Sequence, residues 1–342
     1  MDMPVKVVLY GIGAIGSKIA RCLLAKKGVQ VVGAIDADPE KVGKDLGEVI
    51  GLGRETGIRI LDDPEKVLSE AKPDVVVHAT RSFLDQVFDQ IMTCIRHGAN
   101  VVSTCEELSH PYVSNPELAK KLDEEARKAG VTVLGTGINP GFLMDTLPIV
   151  LSAVCHEVRS ITVKRSINAA TRRLPFQKKI GAGLTVREFE EKMRSGAITG
   201  HVGLRQSVAL IADALGWELD RVEVGPAEPV VAEEEVRSDY ITVEPGQVAG
   251  LRQVAKGIKD GRPVITLEFT AYIGAEEYDS VDIDGVPEVH EKIEPCVHGD
   301  EGTVGVVVNM IPKVIKAPPG LLTMKDVPLP SATPGDVDVY LR

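Results

Sequence analysis

The chain has 342 residues, of which 44% are hydrophobic and 26% charged, and its formal net charge at pH 7 is −11. This length suffices for two domains with sizeable cores. The excess of acid argues against a nucleic acid or an anionic membrane as partner, because both would repel the chain. No apolar stretch is long enough to span a bilayer and no signal-peptide pattern opens the chain, so we expect a cytoplasmic protein.

The first predicted unit is a strand, a glycine-rich turn and a helix. The run Val7–Tyr10 leads into G-x-G-x-x-G at 11–16, an amphipathic segment covers 17–27, and a second apolar run, 31–35, ends at Asp36. In such a unit the glycines permit a tight turn and a close approach of the backbone to a pyrophosphate, and the acid accepts hydrogen bonds from the adenosine ribose. A glycine-rich turn without a ligand is the alternative. The residues predicted to hold a dinucleotide here are Gly11, Ile12, Gly13, Ala14, Ile15, Gly16 and Asp36.

Further strand and helix patterns alternate up to about residue 140. Apolar strand runs lie at 73–80, 99–104 and 131–137, and helical spacing covers 83–97 and 116–129. This alternation predicts a Rossmann-type, doubly wound parallel sheet over residues 1–140, within an α/β fold. Ligands of such sheets bind at the carboxyl ends of the strands. We therefore add to the predicted cofactor residues Ala79, Thr80, Arg81, Ser103, Thr104, Asn139 and Gly141.

The pattern changes beyond residue 140. Alternating strands at 161–166, 228–231, 248–259 and 264–272, with helices at 186–195 and 203–215, predict a second α+β domain over 141–300 on a mainly antiparallel sheet. A helix over 303–316 is stopped by Pro318-Pro319-Gly320. We expect residues 301–342 to form a C-terminal helix and tail that return to the nucleotide domain.

Two carboxylates follow the strand at 99–104. Glu106 or Glu107 could accept a proton, or could hold an ammonium or iminium, beside the reactive end of the cofactor. The alternative is an acidic helix N-terminus, which Glu107 fits better than Glu106. The preceding Cys105 offers a rival interpretation, a thiol-dependent aldehyde or semialdehyde dehydrogenase. A lone cysteine after a strand is more often a small buried hydrophobe.

A basic segment runs from Lys164 to Lys179 in this acidic chain. Its arginines could bind a substrate carboxylate in a bidentate fashion, although a solvated loop is the usual meaning of such a run. His201, just before a predicted helix, is either a cap or a pocket residue. The five cysteines are widely spaced and lack C-x-x-C, and the histidines show no ligand spacing, so we expect neither a disulfide framework nor a metal site.

Taken together, several segments resemble the 2,4-diaminopentanoate dehydrogenases, and the related native amine dehydrogenases. They are the glycine turn at 11–16, Cys-Glu-Glu-Leu-Ser-His-Pro at 105–111, Asn-Pro-Gly-Phe at 139–142, Arg-Arg-Leu-Pro-Phe-Gln-Lys-Lys-Ile-Gly-Ala-Gly at 172–183, Gly-His-Val-Gly-Leu at 200–204 and Pro-Pro-Gly-Leu-Leu-Thr at 318–323. The resemblance implies NAD(P)-dependent oxidative deamination of an amine. The implied substrate is 2,4-diaminopentanoate, converted to 2-amino-4-oxopentanoate and ammonia, with reductive amination of ketones as the reverse reaction.

The resemblance also implies roles for individual residues. The family's catalytic glutamate falls on Glu106, with Glu107 as the alternative, and the substrate side comprises Phe142, Arg165, Arg173 and His201. A homodimer is implied as well. The distantly similar dihydrodipicolinate reductases have a His-His pair and a Lys-x-x-x-Ser-Gly-Thr segment that this chain lacks, so that reaction is not expected.

The preferred cofactor follows from Asp36. A carboxylate at that position favours NAD, because it binds a free 2′-hydroxyl and repels a 2′-phosphate. Lys41 and Lys44 follow shortly after and leave the use of NADP open. A regulatory protein that binds NAD without chemistry is a further hypothesis, and the presence of Glu106 argues against it.

Overall fold

The computed structural model describes residues 4–341. Its strands, numbered in chain order, are β1 (Val5–Tyr10), β2 (Val29–Ile35), β3 (Ile60–Leu61), β4 (Val75–His78), β5 (Asn100–Ser103), β6 (Thr132–Gly135), β7 (Glu157–Asn168), β8 (Arg221–Val224), β9 (Glu228–Val231), β10 (Val236–Arg237), β11 (Thr242–Val243), β12 (Val248–Lys259), β13 (Arg262–Tyr272), β14 (Tyr278–Val286), β15 (Val289–Ile293) and β16 (Gly320–Leu322).

Helices connect most of these strands. They are α1 (Ala14–Ala25), α2 (Leu46–Val49), α3 (Pro64–Ala71), α4 (Leu84–Arg96), α5 (Pro116–Ala129), α6 (Thr146–Leu151), α7 (Leu174–Lys179), α8 (Val186–Arg194), α9 (Leu204–Ala214), α10 (Gly299–Lys316) and α11 (Asp338–Leu341). The chain divides into two compact units. Unit 1 runs to Phe142 and resumes at His298, and unit 2 is Leu143–Val297.

Unit 1 is built on a sheet in which every strand pairing is parallel, in the order β16-β6-β5-β4-β1-β2-β3. Helices α3, α4 and α5 pack on the face that carries Val8, Val76 and Val101. Helices α1 and α10 contact each other, and both contact strands of the same sheet. The predicted Rossmann-type sheet is therefore confirmed.

Two strands of unit 1 were not predicted. Strand β3 has only two residues, too few to show a periodic pattern. Strand β16 directly follows Pro318-Pro319, where the sequence favours an ending rather than a new element, yet it adds to the sheet edge beside β6. The C-terminal segment thus supplies a strand as well as the predicted helix, α10.

Unit 2 contains the second sheet, in the order β15-β14-β7-β13-β12-β8, with β9 also paired to β12. All pairings are antiparallel except that of β7 with β13, which confirms the mainly antiparallel prediction. Alternate residues of β13, such as Ile265 and Leu267, enter the core together with Val208 and Ile211 of α9. The hairpin β14–β15 was not predicted; its inward positions include the buried Asp279 and Gly285, which interrupt the apolar alternation of β14.

Between residues 4 and 341, no helix has both the length and the apolarity needed to cross a membrane.

Candidate cofactor and catalytic site

The carboxyl ends of the central strands of unit 1 lie side by side. Tyr10 pairs with His78, and His78 with Ser103, in the parallel register. The next backbone N–H groups continue the ladder: Ala79 donates to Tyr10 O (2.7 Å), and Thr104 donates to His78 O (2.9 Å). The loops after β1, β4, β5 and β6 therefore emerge at one edge of the sheet, as the prediction from parallel topology requires.

These loops enclose a cavity of about 280 Å³ in unit 1. Its charged lining residues, among those the structure describes, are Arg81 and Glu106. The structure thus brings together many of the residues predicted from the sequence, and adds others. The lining residues are Gly13, Ala14, Ile15, Ala79, Thr80, Arg81, Ser82, Thr104, Glu106, Thr136, Gly137, Ile138, Asn139, Pro140 and Thr303.

The glycine turn has the shape that a pyrophosphate needs. Gly11 has a φ of +97°, and a Cβ there would lie 2.4 Å from Ala79 O. A Cβ on Gly16 would lie 1.9 Å from Gly11 O, so only glycine lets α1 pack this closely on the turn. A Cβ on Gly13 would meet nothing within 4 Å. The turn is therefore closed on its protein side and open on its cavity side, where the N-terminus of α1 attracts an anion.

Asp36 supports this turn from the end of β2. Its Oδ2 accepts a hydrogen bond from the Ile12 N–H (2.7 Å), and its Oδ1 accepts one from the Asp38 N–H (2.9 Å). Lys41 Nζ lies 3.4 Å from Asp36 Oδ2 and 3.1 Å from Asp38 Oδ2. The acid predicted to bind ribose hydroxyls is thus fixed in orientation by the turn itself, with a lysine beside it.

Several predicted cofactor residues do not line the cavity. Ile12 and Asp36 are joined by the hydrogen bond described above, Ser103 is fully buried, and a Cβ on the buried Gly141 would lie 2.4 Å from Gly137 N. Gly11 and Gly16 act through their lack of a side chain.

Sequence reasoning missed some lining residues, of which Thr303 is the most informative. Its hydroxyl donates to Gly299 O (2.9 Å) and accepts from the Ile138 N–H (3.4 Å). It therefore ties the loop after β6 to α10, although 165 positions separate Thr303 from Ile138 in the chain. No local signal could have found it, because only the packing of α10 on the sheet brings it there.

The two adjacent glutamates have different surroundings. Glu106 begins a short 3-10 helix, Glu106–Ser109, and lines the cavity. Glu107 points elsewhere: its Oε2 accepts hydrogen bonds from the Leu84 N–H (2.8 Å) and from Asn115 Nδ2 (3.1 Å). Glu107 thus satisfies a backbone N–H at the N-terminus of α4, whereas the sequence had suggested a place at the N-terminus of its own helix.

Cys105 is not one of the residues that line the cavity. It is 1% exposed, and its thiol donates to Ser82 O (3.3 Å). Burial, with the Glu106 and Glu107 charges nearby, raises the pKa of Cys105 to about 12. A thiol that stays protonated is a poor nucleophile, so this geometry does not support the thiol-dependent alternative.

Of the predicted substrate residues, Arg165, Arg173 and His201 belong to unit 2. Phe142 is the last residue of the first segment of unit 1. Arg165 is 2% exposed, and its guanidinium donates to Asp279 Oδ1 (2.5 Å) and to Val297 O (2.7 Å). Arg173, by contrast, is exposed at the start of α7. The two arginines, equivalent in the sequence, therefore differ in exposure.

His201 is half-buried in unit 2. Its ring stacks on Phe269, with centroids 4.3 Å apart and planes 13° from parallel. Burial and the nearby charges of Lys179 and Arg165 lower the pKa of His201 to about 3. The imidazole is therefore neutral at ordinary pH.

Comparison with known proteins shows the family to which the chain belongs. A family model described as the 2,4-diaminopentanoate dehydrogenase C-terminal domain matches residues 142–342, and one described as the N-terminus of dihydrodipicolinate reductase matches residues 5–134. The 2,4-diaminopentanoate dehydrogenase of Acetoanaerobium sticklandii is 39% identical over 97% of this chain and 96% of its own. The chain belongs to the 2,4-diaminopentanoate dehydrogenase family.

Two amine dehydrogenases are also similar to this family member. That of Streptomyces virginiae is 27% identical over 95% of this chain and 96% of its own. The solved structure from Mycobacterium smegmatis has a TM-score of 0.84 and 32% identity, covering 97% of this chain and 98% of that one. The predicted class, an oxidoreductase that acts on amines, is confirmed. The dehydrogenase family and its Rossmann-type sheet support a nicotinamide cofactor, as expected.

Proposed function

We propose that this protein catalyses the NAD-dependent oxidative deamination of 2,4-diaminopentanoate to 2-amino-4-oxopentanoate and ammonia. The reverse reaction is the reductive amination of the ketone. The observation that carries the proposal is Glu106, a carboxylate in the lining of the cavity that the glycine turn opens into. The substrate named for the relative from A. sticklandii supports the choice of amine.

The residues of the cavity fit a dinucleotide, with the turn at Gly11–Gly16 toward the pyrophosphate. When bound, NAD supplies the acceptor for the hydride that leaves C4 of the substrate. Glu106 would hold the C4 ammonium and take one of its protons, because the nitrogen must share its lone pair as the hydride departs. That proton passes to solvent, and the freed carboxylate would then accept a proton from the water that attacks the iminium carbon. Glu106 would return this proton to the nitrogen of the resulting carbinolamine, which leaves as ammonia while the hydroxyl loses its proton and the ketone forms.

The preference for NAD over NADP is part of the proposal. Asp36 places a negative charge where the 2′-phosphate of NADP would lie, and its orientation is fixed by the Ile12 N–H. Lys41, beside Asp36, partly offsets this charge and keeps NADP usable at lower efficiency.

Arg173 is the stronger candidate for the substrate carboxylate. Arg165 is buried and paired with Asp279, whereas Arg173 is exposed. For Phe142 and His201 the proposed role is contact with the substrate, in the case of His201 as a neutral imidazole.

We further propose a homodimer and a cytoplasmic location. In this proposal residues 1–140 and 301–342 hold the cofactor, and residues 141–300 serve substrate binding and dimerisation. The outward face of the second sheet carries half-buried polar side chains, including Thr162, Lys164 and Thr266, and could supply the dimer contact. The five cysteines are free thiols, which suits a reducing compartment. Light scattering after gel filtration measures the mass: 36.7 kDa would exclude the dimer.

The decisive experiment measures oxidation of NADH and of NADPH with 2-amino-4-oxopentanoate in ammonium buffer at high pH. Pentan-2-one, which has the ketone but lacks the amino acid moiety, is the matched control. Turnover restricted to the amino-oxo acid is the expected result. Equal turnover of both ketones would replace the proposal with a broader amine dehydrogenase, and turnover of neither would refute it.

A further inference from the structure

A side-chain network that the proposed chemistry does not use lies beneath the cofactor cavity of unit 1. His78, the last residue of β4, is 0% exposed. Its Nδ1 lies 2.9 Å from Ser103 Oγ, and its Nε2 lies 2.8 Å from Gln90 Oε1 and 3.0 Å from Thr80 Oγ1. Thr80 Oγ1 also donates to the same Gln90 oxygen, at 2.8 Å. The imidazole thus joins the ends of β4 and β5 to α4.

The partners fix where the imidazole carries its hydrogen. Gln90 Oε1 can only accept, so Nε2 must be the N–H that donates to it. Nδ1 is then the acceptor, and the Ser103 hydroxyl donates to it. Ser103 Oγ in turn accepts the Cys105 N–H at 3.1 Å. Each of these donors and acceptors is satisfied in one arrangement, as buried polar networks require.

The charge state of the ring agrees with this arrangement. Burial lowers the pKa of His78 to about 4. The nearest aromatic neighbour, Tyr10, meets the ring edge-on, with centroids 5.4 Å apart. The Nε2–H imidazole is therefore neutral over the whole range in which an amine dehydrogenase would be assayed.

The network leaves His78 in two directions: the arm from Nε2 ends at the cavity lining, and the arm from Nδ1 ends at the residue next to it in the chain. One arm holds the hydroxyl of Thr80, which lines the cavity together with Ala79 and Arg81. The other arm holds the N–H of Cys105, the residue before Glu106. A shift of either loop by a fraction of an ångström would displace a group that contacts the cofactor or the amine.

We propose that His78 is a positioning residue: as a neutral Nε2–H imidazole it sets the Thr80 loop for the cofactor and the Cys105–Glu106 turn for the amine. The second half of this inference rests on the proposed role of Glu106; the first half does not. A histidine that only fills the core would occupy the same volume without coupling to either loop.

The tautomer is tested first, on the protein without cofactor or substrate. Nitrogen-15 NMR of histidine-labelled enzyme is expected to show one ring with a protonated Nε2 and an unprotonated Nδ1, unchanged from pH 5 to pH 9. Loss of that ring's signals in His78→Asn assigns them. A signal from the opposite tautomer, or a titration within this range, would overturn the proposal.

The two arms are then tested separately. Gln90→Met removes the acceptor at nearly constant volume and is expected to raise the Kd for NADH, followed by its fluorescence, about tenfold. Ser103→Ala is expected to lower kcat about tenfold with little change in that Kd, and Ser103→Thr, which keeps the hydroxyl, restores kcat. Ile91→Val, at a fully buried position next to Gln90 on α4, is the control for a loss of packing alone.

The outcomes separate this proposal from the proposed reaction. If both Gln90→Met and Ser103→Ala behave like Ile91→Val at equal loss of Tm, His78 is only a core residue and the proposal is wrong. If the wild-type enzyme fails to turn over amines, the proposed reaction is wrong, and the tautomer and the NADH affinity still decide the role of His78.

Discussion

Glu107 Oε2 accepts a hydrogen bond from the backbone N–H of Leu84 at 2.8 Å, and so caps the helix that begins there. Its neighbour Glu106 lines the cofactor cavity instead. Two identical side chains at consecutive positions therefore have different surroundings, one at the N-terminus of a helix and the other at the cavity. The 3-10 turn that begins at Glu106 separates the directions of the two side chains.

This difference predicts opposite effects for two matched variants. Glu106→Gln is expected to lower kcat by at least about 100-fold, because the amide cannot take a proton, while Tm stays near that of the wild type. Glu107→Gln is expected to keep kcat within about threefold and to lose at most about 1 kcal/mol of stability, because the amide oxygen still accepts from the Leu84 N–H and only the negative charge at the helix N-terminus is lost. Steady-state kinetics and thermal unfolding of both proteins give the comparison. The reverse pattern would move the catalytic role to Glu107.

We expect the choice between NAD and NADP to depend on Asp36 and Lys41. Asp36→Ser removes the negative charge that opposes a 2′-phosphate, so the ratio of kcat/KM for NAD to that for NADP should fall at least tenfold. Lys41→Met should raise the same ratio, because it removes the cation that lies 3.4 Å from Asp36. Kinetics with both cofactors at a fixed amine concentration provide the measurement. An unchanged ratio in both variants would place the specificity elsewhere.

We expect the buried ion pair of Arg165 and Asp279 to contribute to stability and not to substrate binding. Arg165→Met leaves a buried carboxylate unpaired and should cost about 3–5 kcal/mol, and the double variant R165M/D279L should recover part of that loss. For the folded enzyme, R165M should leave the KM for 2-amino-4-oxopentanoate near the wild-type value, whereas Arg173→Met should raise it about tenfold. Urea unfolding measures the stability of each variant, and steady-state kinetics measure its KM. A stable R165M with a raised KM would restore Arg165 as the carboxylate ligand.

The buried thiol of Cys105 should not react with alkylating reagents in the folded enzyme. Because its pKa is raised to about 12, iodoacetamide at pH 8 should leave the activity of the folded enzyme intact. Cys105→Ala should keep kcat within about twofold. Mass spectrometry of the treated enzyme shows which cysteines reacted. Inactivation that follows modification of Cys105 would revive the thiol-dependent mechanism.

Stability should fall as the pH is lowered below about 6.5. An unfolded histidine binds a proton near that pH, but the folded protein keeps His78 neutral down to about pH 4. As the pH falls from about 6.5 to about 4, this one group lowers the free energy of unfolding by about 1.4 kcal/mol per pH unit. The depressed pKa of His201 acts in the same direction, so His201→Phe, which keeps the stack on Phe269, should give a shallower slope. Urea midpoints from pH 7 to pH 4 measure both slopes.

The fold could be predicted wherever a periodic pattern was long. The limits of α5 and β12 agree with the sequence prediction, because each carries a long periodic pattern and a clear stop. The short strands β3 and β16 could not be predicted, since their place in the sheet depends on neighbours distant in the chain.

For the site, the sequence by itself determined the glycine turn, the acid at the end of β2 and the pair of glutamates after β5, because each stands at a fixed offset from a strand end. Only the tertiary structure decided which glutamate lines the cavity, which arginine is buried in an ion pair, that Thr303 lines the cavity, and that His78 contacts Thr80 of its lining. Those outcomes depend on side-chain direction and on contacts between distant segments, which local spacing does not encode.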